Sequence, residues 1–150
     1  MARWKVPVYS QSTLSLCWEA CGRMMWHWRH NSLNGYSAKA ASYLNIRTGL
    51  AQVQLNGFYT TLGLRPLRNA RGKNLRHALQ WTPVVFTSTS KVSGHAMVAV
   101  EFYKNQYRVI NPCAVEVVSF EDGSDSCQGG TVLLTKQDIE GSLGPFIWYW

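Results

Sequence analysis

The chain has no apolar run long enough to cross a bilayer. The longest, such as Thr82–Phe86 and Phe146–Trp150, are a handful of residues, against the roughly 20 that a spanning helix needs. Internal repeats, low-complexity tracts and a Pro/Gly-rich linker are also missing, so the 150 residues read as one domain, 1–150. Charge is scarce: 15% of residues are charged and 46% hydrophobic, which excludes an extended, self-repelling chain. Acidic side chains are almost lacking from the first two thirds, where Glu19 is the single one among residues 1–100 against twelve Lys and Arg. The opening Met-Ala-Arg-Trp-Lys-Val-Pro-Val-Tyr carries basic residues with no apolar stretch behind them, unlike a Sec signal.

What is there begins with that imbalance. Residues 1–100 are net +11 and residues 101–150 net −4, for +7 in all. The densest basic stretch is Arg65, Arg68, Arg71, Lys73 and Arg76, a surface that would concentrate an acidic partner.

Hydrophobic periodicity divides the chain. Trp4–Tyr9 alternates and reads as an edge strand, since Pro7 cannot donate to a ladder. At about 100° per residue, Cys17, Ala20, Cys21, Met24, Met25 and Trp28 share one face, with Glu19 and Arg23 paired outside it, which predicts a buried helix. Further helices are expected at Ser37–Asn45, Gly49–Thr61 and Asn74–Gln80. The period then drops to two, and strands are expected at Pro83–Thr87, Gly94–Tyr103, Tyr107–Asn111, Val115–Ser119 and Thr131–Leu134, with a hairpin at Lys104-Asn105-Gln106. Thr135-Lys-Gln-Asp138 has the form of a helix cap. Helices followed by an antiparallel sheet define an α+β domain, with a cleft where the two subregions meet.

Cys17 falls at the head of the first helix, with Ser15 as candidate N-cap. Unpaired N–H groups and the positive dipole end favour thiolate there, the form a nucleophile needs. Gln11 stands six residues before it and Trp18 directly after; His95 opens an apolar strand behind Gly94, and Asn111 ends the next, before Pro112.

The three segments Gln11-Ser-Thr-Leu-Ser-Leu-Cys17-Trp18, Gly94-His95-Ala96-Met97 and Ile110-Asn111-Pro112 together resemble the papain-like cysteine peptidases. The closer similarity is to the compact bacterial branches, the C39-type bacteriocin-processing peptidases and the effector peptidases of the AvrRpt2 kind. Leu14-Ser15-Leu16 replaces the Gly-Ser of plant papains and no Trp follows Asn111, departures that argue against a plant or lysosomal enzyme. The resemblance implies a papain-like fold with helices packed on the sheet and the active site between them. It implies Cys17 as nucleophile, His95 as general base, Asn111 as orienter of the ring, and the Gln11 side chain with the Cys17 backbone N–H as oxyanion hole. It implies no cofactor. Trp18, Gly94, Arg65, Arg68 and Arg71 are expected at a substrate or partner surface.

The expected activity is cysteine endopeptidase on a protein substrate, in a bacterial effector or toxin exported outside the Sec route to act inside a target cell. A cytoplasmic location is the alternative. An acidic immunity protein would suit the basic segment as partner. A peptidoglycan amidase or peptidase would use the same nucleophile, but that group lacks the upstream Gln. A basic nucleic-acid-binding module ranks third, since no RNP, zinc-finger or helix-turn-helix signature is present. A metal site is not expected, because Cys17, Cys21, His27 and His30 diverge around one helix. Cys113 and Cys127 flank an acidic loop and could form a disulfide or stay reduced; the sequence leaves both open. Gly129-Gly130 reads as a turn.

Overall fold

The helical spacing that starts at Cys17 becomes α1 (Cys17–His30) in the computed structural model. That structure describes residues 4–13, 15–89, 95–118 and 125–150, with the side chains of 116–118, 125 and 126 outside it. The expected Glu19–Arg23 ion pair forms one turn apart. The buried face of α1 is wider than its apolar stripe: Trp18, Gly22 and Trp26 are buried as well as Ala20, Cys21, Met24 and Met25, while Trp28 is half-exposed. The cause is a second layer of packing. α3 (Gln52–Thr61) lies on α1 so closely that a Cβ on Gly22 would sit 2.6 Å from the Phe58 ring, leaving room for glycine only.

Two helices differ from expectation, one shortened and one shifted. The helix over 37–45 is reduced to α2 (Tyr36–Lys39), and backbone turns at Tyr43 and Ile46 take over. The helix expected at Asn74–Gln80 starts two residues earlier, as α4 (Gly72–Ala78).

Among the described residues six strands form one sheet: β1 (Arg65–Arg68), β2 (Val84–Ser88), β3 (His95–Tyr103), β4 (Gln106–Val118), β5 (Asp125–Thr135) and β6 (Leu143–Tyr149). Their order is β1-β6-β2-β3-β4-β5, with every pairing antiparallel. β1 and β6 were not legible as strands, and the two strands expected at 107–111 and 115–119 are one strand interrupted by a bulge. The hairpin at Lys104-Asn105 has positive φ at both residues, 51° and 60°, the primed-turn backbone that matches strand twist. Thr135 accepts from the Asp138 backbone N–H, 3.1 Å, and caps α5 (Lys136–Glu140).

Both faces of the central strands are covered. Val85, Val98, Ile110 and Trp148 face the α1/α3 layer, whereas Val84, Phe86, Met97, Ala99 and Ile147 face α4 and α5. β2 is therefore buried at every position, which explains its continuous apolar run. Helix α4 thus lies across the sheet from α1, so the helices do not form one subregion on one face.

Trp4–Tyr9 is not an edge strand. It is extended but crosses the sheet: the Trp4 N–H meets Val100 O at 3.3 Å on β3, the Gln11 N–H meets Pro112 O at 3.1 Å on β4, and the Gly129 N–H on β5 donates to Ser10 Oγ at 2.8 Å. Running across the strands, it cannot make a ladder. A bulge at Val100 gives the first of these contacts its carbonyl. Gly129-Gly130 is no turn either; it lies within β5, where a Cβ on Gly129 would meet Tyr9 O at 3.0 Å.

Gly22→Ala tests the α1–α3 approach. Overpacking costs about 1–3 kcal/mol and exceeds the helix-propensity gain of about 1 kcal/mol, because the Phe58 ring is fully buried and hemmed by Trp18, Tyr43 and Tyr59. The urea midpoint is expected to fall; an unchanged or higher midpoint contradicts the packing.

Candidate active site

Residues far apart in sequence meet where the start of α1 faces the start of β3. Cys17 is the first residue of α1, and its Sγ lies 3.5 Å from the backbone N–H of Ala96, the residue after His95. The N-cap is Leu16, whose side chain cannot accept a hydrogen bond. Ser15 is not the cap, because a backbone turn from Leu16 N–H to Thr13 O, 3.3 Å, closes the loop and starts the helix one residue later. The first-turn N–H groups and the dipole they carry act directly at Cys17.

His95 opens β3, and its Nε2 is 2.6 Å from Asn111 Oδ1 on β4. The same oxygen accepts the backbone N–H of Cys113 at 2.9 Å. That N–H can only donate, so it identifies the atom as oxygen and fixes the amide orientation. Nε2 must then carry the ring proton, and Nδ1 is the nitrogen that exchanges one.

Cys17 and His95 line the same cavity, about 310 Å³, together with Ser15, Trp18, Gly49, Leu50, Gln52, Leu55, Thr87, Ser88, Thr89, Ala96 and Pro145. The wall from residues 49–55 and the end of β2 was not found from sequence. The signal available was the hydroxyl run Thr87-Ser88-Thr89 ending an apolar strand.

Gln11 is 2% exposed. Its Nε2 donates to Thr13 O at 2.7 Å, while its Oε1 is buried without a partner among the described residues. Its backbone hangs on Pro112, next to Asn111. Trp18 is not a surface residue: it is 1% exposed, its indole donates to Thr48 O at 3.0 Å, and it reaches the cavity only as part of the wall. Its place on the inward side of α1, against Phe58, is the reason. Arg65, Arg68 and Arg71 are exposed on edge strand β1 and the following turn, outside the cavity lining. Gly94 lies outside the described residues. Cys113 and Cys127 are joined by a disulfide, Cα–Cα 4.7 Å.

The remaining thiol and imidazoles go elsewhere. Cys21 is fully buried, and burial, then the neighbouring Cys17 and Glu19, push its thiol well above its usual range. His27 Nδ1 pairs with Tyr9 OH at 2.8 Å. His30 Nδ1 meets Trp26 O at 3.1 Å, its ring stacked on that indole. His77 is exposed and packs edge-on against Trp81.

The fold matches solved bacterial peptidases. A double glycine motif protease from an AMS/PCAT transporter, solved with its leader peptide, superposes with TM-score 0.69 at 14% identity, covering 99% of this chain and 94% of that one. The peptidase domain of Streptococcus ComA, a bifunctional ABC transporter of a quorum-sensing pathway, gives 0.64 at 11% identity over 96% of each chain. That of Streptococcus mutans ComA gives 0.55 at 12% identity over 94% and 95%. No curated protein matches the chain. The α+β architecture is thus that of the compact papain-like peptidases. Residues 1–125 match the family described as papain-like cysteine protease AvrRpt2, and the chain, a cysteine peptidase, belongs to it. No helix among the described residues is long and apolar enough to cross a membrane.

Two outcomes check this geometry. Iodoacetamide on the native protein should add one group, at Cys17, with Cys21 reacting only after unfolding; mass spectra showing rapid labelling of Cys21 would contradict its burial. Burial also holds the Tyr59 hydroxyl well above its ordinary range. Below about pH 8.5 the native and unfolded chains both keep the Cys21 and Tyr59 protons. Above that, the unfolded chain releases protons that the native state retains, so stability falls as pH rises. The urea midpoint should drop between roughly pH 8 and 10.5; a midpoint that climbs across that range rejects the reading.

Proposed function

We propose that the protein is a cysteine endopeptidase working through Cys17, His95 and Asn111, with Gln11 and the Cys17 backbone N–H as oxyanion donors. The observation that carries this is the single arrangement of His95, hydrogen-bonded to Asn111 at 2.6 Å and sharing a cavity with the Cys17 sulfur.

The Cys17 proton passes to Nδ1 of His95, giving a thiolate beside an imidazolium. The dipole of α1, a 14-residue helix, favours the thiolate from below. Asn111, being neutral, holds ring and tautomer without competing for the positive charge. The thiolate attacks the substrate carbonyl, and the oxygen that gains charge takes the Cys17 N–H and an N–H of the Gln11 amide. That amide has a second hydrogen beyond the one held by Thr13 O. His95 then protonates the leaving amine, and with His95 as base water releases the acyl group from sulfur.

The reading takes residues 1–150 as one peptidase unit acting on a protein substrate. It assigns the enzyme to the effector or toxin class, delivered by a route other than Sec, because the family match is to an effector peptidase. An acidic immunity protein is the partner that the exposed arginines of β1 would suit.

Labelling with the peptide epoxide E-64 tests the mechanism. Wild type should gain a single adduct on Cys17 and His95→Ala should gain none; adducts of equal rate in both remove the general base. Gln11→Ala should lower kcat by about two to three orders of magnitude in a peptide-cleavage assay, and a change below threefold would take Gln11 out of the oxyanion hole.

A further inference from the structure

The β4 bulge stands at the centre of the site, although none of its residues lines the cavity. Asn111 pairs with Gly130 and Val115 with Gln128, so three β4 residues, Pro112, Cys113 and Ala114, bow out opposite Gly129 alone. A bulge of this size takes groups out of the ladder, and two of them bond to residues of the site. The Cys113 N–H goes to Asn111 Oδ1 at 2.9 Å, and Pro112 O takes the Gln11 N–H at 3.1 Å. The crown of the bulge is tied to β5 by the Cys113–Cys127 bond. Beside that bond, Gly129 receives the N-terminal segment, its N–H donating to Ser10 Oγ at 2.8 Å.

We propose that the Cys113–Cys127 disulfide is a positioning device for the active site: by closing the β4 bulge it holds Asn111, and through it His95, on one side and Gln11 on the other. This rests on the peptidase reading above. The backbone N–H of Cys113 is the second donor on the oxygen that orients His95. An amide oxygen with one donor can turn about its side-chain torsion, whereas one with two donors at fixed angles cannot. Opening the bond frees Cys113 to move, and the amide of Asn111 loses its fixed bearing. The Pro112 carbonyl moves with it, taking the anchor of Gln11. Cys113 and Cys127 are positioning residues; they touch neither substrate nor the reacting sulfur.

A compartment follows. The peptidase is built to work as the oxidised protein, which places a delivered effector in the envelope of a bacterial target or outside cells, where structural disulfides persist, and corrects the expectation of action in a reducing cytosol. Reduction breaks the S–S bond and makes two thiols. The two electrons and two protons come from a dithiol, which closes to its own cyclic disulfide.

The test compares wild type with the double variant Cys113→Ala/Cys127→Ala, reading peptide cleavage and the pH dependence of Cys17 alkylation. The expected result is kcat lower by about 10- to 100-fold with KM within twofold. The alkylation profile should move toward that of an isolated thiol, a shift that lost stability alone would not produce. Wild-type kcat and profile in the folded double variant overturn the proposal and leave the peptidase reading intact. Oxidised wild type with no His95-dependent alkylation overturns both. Reducing native wild type with a dithiol covers poor folding of the variant. Loss of kcat with an unchanged near-ultraviolet circular dichroism spectrum, restored on reoxidation, supports positioning. Loss in step with that spectrum assigns the bond to the fold as a whole and overturns the proposal.

Discussion

One oxygen atom orders the site. Asn111 Oδ1 accepts from the His95 ring and from the Cys113 backbone, and because a carbonyl oxygen only accepts, both donors are forced into defined states. The ring must carry its proton on Nε2, which turns Nδ1 into the exchanging nitrogen. The nucleophile proposed at Cys17 would depend on that choice of tautomer, which is set by residues far along the chain from its sulfur.

The scaffold keeps the arrangement rigid by covering the sheet on both faces. β2 and β3 are packed between α1 and α3 on one side and α4 and α5 on the other, and His95 stands at the start of a strand covered on both faces. Helix α1 is itself held from above by α3 through the Gly22–Phe58 contact. Cys17 is thereby held against the start of β3, the preorganisation that the proposed proton transfer to His95 would use.

Much of this was legible in the sequence because the chemistry falls on residues with strong local signals. The 3.6-residue stripe from Cys17 and the His95-Ala96 strand start each mark an element boundary, and Asn111-Pro112 marks the bulge inside β4. The family match and the fold agree with the class that those motifs imply. What was not legible depends on contacts between elements. Trp18, expected at a substrate or partner surface, is buried by α3 and meets the cavity only as part of its wall. β1 is Arg65-Pro66-Leu67-Arg68, short, with a proline and two arginines, and its one strand partner among the described residues is β6. Trp4–Tyr9 alternates like a strand but is recruited across the sheet by a carbonyl that a bulge exposes. The cavity wall from residues 49–55 has no pattern of its own.

The place of β6 in the sheet has a consequence for biosynthesis. It inserts between β1 and β2 and contributes Pro145 to the cavity wall. Residues 143–149 therefore complete the interior of the sheet, not its rim, and during synthesis β1 and β2 both precede the strand that joins them. Until that strand slides into the gap left for it, β1 has no partner among the described strands, β2 bares an edge, and the cavity lacks the wall that Pro145 supplies.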